Sequence, residues 1–313
     1  SGSLLDGKPG SVLSGNQHQG NPLTGELWDL DVVVENGVVR DTSVVIEERK
    51  LKRPVLAIGC VHARFLNAKC VSAIWPLGEA PSDDISVVEA IDPSEQILHD
   101  VFDGDSISPH NRAEPFKNIE REMDEADDLA SELKLTADFI AAIGSERRNT
   151  WIIESNHDRH LDRYLTETDW KKNLKNAESF LAINLAHVRS LKEGNRNFSA
   201  LSYALRLANP AAKFIKSQMT ESLKFFKAYY QLHGDKGSNG APGSNTNFKR
   251  MGLDIAAAHD HSPSKHRQLT RLGCIIDTPP HAKSSNTLGH SIGIEQPDGS
   301  MQLVILVDGK WRA

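Results

Sequence analysis

The feature that most constrains this chain is a pattern met five times: a short, apolar, β-prone run ends, and His, Asp, Asn or Cys follow at once. PVLAIG leads into Cys60-Val61-His62, and EQILHDVF into Asp103-Gly104-Asp105. TWIIE leads into Ser155-Asn156-His157-Asp158, FKAYYQL into His233-Gly234-Asp235, and LDIAAA into His259-Asp260-His261. In layered α/β folds the loops beyond the carboxyl ends of strands converge on ligands. Five such ends, far apart in sequence, are therefore candidates to form one site. Asp, His and Asn offer hard oxygen and borderline nitrogen donors, which suit divalent ions such as Mn, Fe and Zn. Phosphoester hydrolysis needs such ions to neutralise phosphoryl oxygens and to lower the pKa of an attacking water.

The remainder of the composition narrows the setting. At 313 residues the chain suffices for one large domain or two modest ones. No apolar run approaches the ~20 residues of a membrane-spanning helix, and SGSLLDGKPG lacks the layout of a signal peptide. Cys60, Cys70 and Cys274 are too scattered for a disulfide framework and fit a reducing cytoplasm. The net charge of −6 disfavours a broad electrostatic clamp on nucleic acid. It leaves room for a nuclease, because bound metal supplies positive charge locally.

Along the chain, residues 1–24 read as a flexible lead and 25–52 as a small β-hairpin extension with an Asn36-Gly37 turn. Residues 53–313 form the main domain, with a helical insertion at about 165–228. An acidic amphipathic helix is expected from Glu114 to Ile143, and a terminal hairpin turns at Asp298-Gly299. Gly234 to Asn247 reads as a flexible loop beside the site.

The order Cys60-x-His62, Gly104-Asp105, Asn156-His157-Asp158, His233-Gly234, His259-x-His261 resembles the calcineurin-like metallophosphoesterase signature. The extensions after Asp105 (SISPHN) and Asn156 (HDRHLDRYL) look like phage-encoded members of that superfamily. The resemblance implies an α/β four-layer αββα sandwich, two mixed sheets flanked by helices. It also implies two divalent ions, manganese preferred, iron or zinc compatible and magnesium less so. His62, Asp105 and His261, with whatever Cys60 contributes, would hold metal 1. Asp105, Asn156, His233 and His259 would hold metal 2, Asp105 bridging. His157 would assist the leaving oxygen, and Asp158 would orient His157 or cap the segment after it. Cys60 stands where the family usually has Asp, as in RNA lariat debranching enzymes, while Ser155 and Ala258 replace glycines at packing positions.

Several residues carry two readings. Cys60 is a ligand or a small buried hydrophobe. Asp103, Asp158 and Asp235 are partners that orient imidazoles or strand-end caps. His110 and Asn111 contact substrate or lie in a solvated loop. Arg159 and Arg163 bind phosphate or bridge along their helix to Asp162. The expected activity is a metal-dependent phosphodiesterase using metal-activated water, a DNA-directed nuclease in the host cytoplasm. The alternatives are a phosphomonoesterase and a non-catalytic binding module. The helices at 170–230 pack on the core or on a second subunit of a homo-oligomer.

Overall fold

The structure is a computed structural model and describes residues 53–77, 85–108, 115–206, 213–215, 222–237, 240–277 and 288–311, with four strand segments nearer the N-terminus. The chain divides into two compact units, Ser1–Lys52 and Arg53–Ala313. In the first, β1 (Gln19–Gly20) pairs with β2 (Leu27–Trp28), and β3 (Val32–Glu35) pairs antiparallel with β4 (Val38–Asp41). The Asn36-Gly37 turn and most of the lead lie outside the described residues.

The second unit is built on a seven-stranded mixed sheet. Its parallel half comprises β5 (Val55–Cys60), β6 (Glu95–His99), β7 (Asn149–Ile153) and β8 (Lys213–Ile215). A second, three-stranded sheet contains β9 (Ile255–Ala257), β10 (Ser264–His266) and β11 (Leu269–Arg271) in the order β10-β11-β9. The antiparallel half of the large sheet is β12 (Ser291–Glu295), β13 (Met301–Val307) and β14 (Lys310–Trp311), with β12 against β5. β12 and β13 form the expected hairpin, closed where the Gln296 amide donates to the Ser300 carbonyl.

VLAIGC is apolar throughout because β5 is buried on both faces, as central parallel strands are. Alternate residues go to opposite sides. Leu56, Ile58, Leu98 and Ile152 meet the helices, whereas Val55, Ala57, Ile97 and Ile153 meet Leu223, Tyr230, Ala256 and Leu272.

The helices are α1 (Ala68–Ile74), α2 (Val87–Ile91), α3 (Pro115–Met123), α4 (Leu129–Ala142), α5 (Arg159–Glu167), α6 (Ala177–Lys192), α7 (Ala200–Arg206) and α8 (Asn245–Lys249). Phe248 of α8 packs with Leu232, Ile255, Ala257 and Leu269.

Three expectations are modified. The helix from Glu114 to Ile143 is two helices, because Glu125 adopts φ 53° and Asp128 caps α4 by accepting from the Ser131 amide. The stretch at 165–228 also supplies edge strand β8. The Gly234–Asn247 segment is pinned where described: the Gly237 amide donates to Ala241, that of Gly243 to Asp235, and Ser244 caps α8.

One packing detail joins the two sheets. The Cys60 amide donates to the Gly273 carbonyl at 3.1 Å, and the Ile275 amide to the Cys60 carbonyl at 3.2 Å. The chain beyond β11 thereby pairs with the end of β5. A Cβ on Gly59 would lie 2.1 Å from the Gly273 carbonyl oxygen, so only glycine permits this approach.

Candidate metal centre at the strand ends

The parallel strands β5, β6 and β7 all point their carboxyl ends to one edge of the sheet. Cys60, Asp100 and Asn156 lie there, and His233 is brought to the same edge by backbone pairing. The Ala256 amide donates to Tyr229, and the Ala258 amide to His233, so residues 229–233 run beside β9. β9 then delivers His259 and His261. His62, Asp100, His259 and His261 adopt φ of 39°, 57°, 76° and 53°, four of the eight non-glycine residues with positive φ among those described. Side chains other than glycine enter this region at a cost and collect there at functional sites.

Asp100 is the hub. Its carboxylate lies 3.0 Å from His62 Nε2 and 3.8 Å from His233 Nε2, and it accepts a hydrogen bond from the Ser155 hydroxyl. His62 Nδ1 is 2.7 Å from Asp103 Oδ1. Asp103 also reaches His157: His157 Nδ1 is 2.9 Å from the Asp103 carbonyl oxygen and 3.4 Å from its carboxylate. His259 Nδ1 lies 3.2 Å from Asn156 Oδ1, and the His259 amide donates to Cys60 Sγ at 3.2 Å. The His62 ring stands edge-on to those of His157 and His261, at 4.7 and 5.4 Å between centroids. Each of Cys60, His62, Asp100 and His261 offers one donor atom within 4.8 Å of the others, as do His62, Asp103 and His157.

The electrostatics follow from burial set against charge. Burial opposes charge on both His62 and Asp100, yet their mutual attraction wins. The His62 pKa stands well above its ordinary value and that of Asp100 well below. Asp103 is held low by His157 and His62 against its burial, and His157 is raised by Asp100 and Asp103 against its own. Burial takes His233 to about 3 and His261 to about 4, so both are neutral imidazoles, the form that ligates metal. Burial pushes the Cys60 thiol up to about 12. It would ligate as thiolate, so a cation there must displace a proton. The donor set, hard carboxylate with imidazole and one thiol, fits a divalent transition ion.

The structure gathers Cys60, His62, Asn156, His157, His233, His259 and His261 as one neighbourhood. Asp105, expected to bridge two ions, lies elsewhere. Its carboxylate is 3.4 Å from Arg121 Nε and 3.8 Å from Arg64 Nε, and its amide donates to Glu132 at 3.1 Å. Asp100 occupies the hub position because β6 stops at His99, so Asp100 is the first residue beyond the strand, while Asp105 starts a later 3-10 turn.

Asp158 does not orient His157. Its carboxylate accepts from the Ser155 and Phe102 amides at 2.8 and 3.3 Å, tying two site loops together. Burial first, and the charge of Asp100 next, raise its pKa to about 7. Asp103 orients His157 instead. Arg159 pairs with Asp235, and Arg163 reaches Glu167 at 3.7 Å. His110 and Asn111 lie outside the described residues.

Two further residues carry weight that sequence reasoning missed. Ser155, read as a tolerated glycine replacement, donates to Asp100 and accepts from the amides of His157 and Asp158, each at 3.1 Å. His99 is wholly buried with its ring 5.9 Å from that of His233, and burial takes its pKa to about 3.

Over 270 residues the chain is 30% identical to Protein A1 of Escherichia phage T5, an alignment covering 82% of this chain and 46% of that protein. The chain thus spans about half the length of the curated relative it matches. No family model matches the chain. No solved structure matches it. No helix among the described residues is long and apolar enough to cross a membrane.

Proposed function

We propose that this relative of a phage protein is a metal-dependent phosphodiesterase acting on nucleic acid, with DNA the favoured substrate and the host cytoplasm its place of action. The observation that carries the reading is the convergence of Cys60, His62, Asp100 and His261 within 4.8 Å of one another, with His157 tied in through Asp103. Sheet faces covered by helices on one side and by a second sheet on the other support the αββα sandwich that the metallophosphoesterase resemblance implies.

Cys60, His62, Asp100 and His261 would hold one ion. Asn156, His233 and His259, beside Asp100, are the donors for a second. Manganese is the preferred ion, and the thiol of Cys60 draws the first position towards iron or zinc. Such ions supply charge neutralisation at the phosphoryl oxygens and Lewis acidity.

The chain's own residues supply orientation and proton transfer. With Nδ1 held by the Asp103 carbonyl, His157 Nε2 would be the atom that exchanges a proton with the leaving oxygen. Asp103 holds His62 and His157 together, so the position of the ligand and that of the acid are set by one carboxylate. Ser155 fixes Asp100 and, through two amides, the start of the loop bearing His157. Acid–base help of this kind contributes ~100- to 10,000-fold in rate.

The test is cleavage of linear and circular DNA with Mn, Mg, Zn and Fe(II), wild type beside His157→Ala. Metal-dependent cleavage that falls at least ~100-fold in the variant is the expected result. Absence of cleavage under every metal, or a His157→Ala variant as active as wild type, overturns the reading.

A further inference from the structure

Arg271 ends β11, which runs parallel to β9 and sets Arg271 beside Ala257. The residue is 1% exposed. A guanidinium keeps its charge and carries five N–H donors, and apolar side chains of similar volume often stabilise such a place equally well. Its contacts are therefore informative. Nη1 donates to the Ala258 carbonyl at 3.0 Å, Nε donates to Asn245 Oδ1 at 3.2 Å, and Nε also lies 3.2 Å from the Asp260 carboxylate. The guanidinium carbon stands 4.8 Å from the centre of the Phe248 ring. A Cβ on Gly234 would come 2.7 Å from Nη1, so the fork also closes against Gly234.

These neighbours have one thing in common. Ala258 immediately precedes His259, Asp260 separates His259 from His261, and Gly234 follows His233. The Ala258 peptide is gripped from both ends: its amide donates to the His233 carbonyl at 2.7 Å, and its carbonyl accepts from Arg271. His259 and His261 hold φ of 76° and 53°, a conformation that persists only where the surroundings impose it. The charge itself argues in the same direction. A cation beside a cation site opposes metal binding by Coulomb repulsion, so an Arg271 acting through charge alone would weaken the site. One acting through its hydrogen bonds would strengthen it.

We propose that Arg271 is a positioning residue for the second ion: its buried fork ties Ala258, Asn245 and Asp260 together against Gly234 and so sets His233 and His259 as a pair of donors. The inference rests on the metal centre proposed above. Cys60, His62 and Asp100, which would hold the first ion, come instead from the ends of β5 and β6. Loss of the fork should therefore fall on the second ion far more than on the first. Residues that orient metal ligands typically contribute ~10- to 100-fold in metal affinity.

Calorimetric titration of the metal-free full chain with Mn tests this, with wild type, Arg271→Met and Arg271→Lys side by side and thermal unfolding as the check on folding. Methionine keeps the apolar stem over Phe248 and removes every donor. Lysine keeps the charge and one donor within reach of Ala258 but loses the fork. The expected result is two binding steps in wild type, with the second weakened ~10- to 100-fold in Arg271→Met and the first within about threefold. Arg271→Lys should lie between, weakened ~3- to 10-fold at the second step, and it decides the matter alone if Arg271→Met does not fold. A second step that is unchanged or tighter in the folded variants, or two steps weakened equally, overturns the positioning role and leaves the metal centre standing. A wild type that takes up one ion also overturns it, because His233 and His259 then have no ion to hold. A wild type that binds no Mn overturns the metal centre and this inference together.

Discussion

Replacing Asp100 by Asn and, separately, Asp105 by Asn asks which carboxylate organises the site. Asn keeps the shape and one carbonyl oxygen but removes the charge. At Asp100 that charge sits 3.0 Å from His62 Nε2 and 3.8 Å from His233 Nε2, in a group 1% exposed. Losing a residue that merely orients a ligand costs ~10- to 100-fold in metal affinity. Losing the buried carboxylate at the hub should cost at least ~1,000-fold, about 4 kcal/mol. At Asp105 the lost charge faces Arg64 at 3.8 Å and Arg121 at 3.4 Å in a largely buried cluster. Breaking it leaves buried arginine charge uncompensated and should cost about 3 kcal/mol of stability, whereas metal affinity should stay within about threefold of wild type. Titration calorimetry with Mn on metal-free protein measures both affinities, and thermal unfolding confirms that each variant is folded. Metal binding lost in Asp105→Asn and kept in Asp100→Asn would refute the assignment.

Ser155→Ala removes the hydroxyl that joins Asp100 to the amides of His157 and Asp158. Cleavage should fall ~10- to 100-fold with the fold retained, and an unchanged rate would deny Ser155 its positioning role. Burial, then the charge of Asp103, raises the Glu132 pKa from 4.5 to about 7. The folded state therefore keeps a proton that the unfolded chain has lost, and the Glu132 contribution to stability should decline by about 3 kcal/mol as pH rises from ~4.5 to ~7. Urea unfolding of metal-free protein at several pH values should show that decline as the difference between wild type and Glu132→Gln; parallel profiles would contradict it. Gly59→Ala sets a methyl against the Gly273 carbonyl, backbone that no rotamer change can move aside. A loss of about 3 kcal/mol in denaturant unfolding is expected, and a neutral result would mean that the two sheets separate easily there.

The repeated motif was legible from the sequence because a strand end and the residues beyond it are local features. Apolar β-prone runs such as VLAIG and WII specify buried strands, and His or Asn immediately after them must emerge at one edge of a parallel sheet. That logic marked His62, Asn156 and His157 as candidates and the Asp-Gly turn marked the terminal hairpin, whereas His259 and His261 follow β9 of the other sheet. The run HDVFDGDS was different. It offers Asp100, Asp103 and Asp105 within a few residues, and periodicity does not say where the strand stops. Only pairing of β6 with β5 and β7 ends it at His99, which makes Asp100 the hub and leaves Asp105 to the arginines. The roles of Ser155 and Asp103 are likewise tertiary, since each acts on a partner about fifty residues away. Local chemistry thus named the kinds of ligand, whereas the choice among neighbouring carboxylates depended on strand register, which long-range hydrogen bonding alone sets.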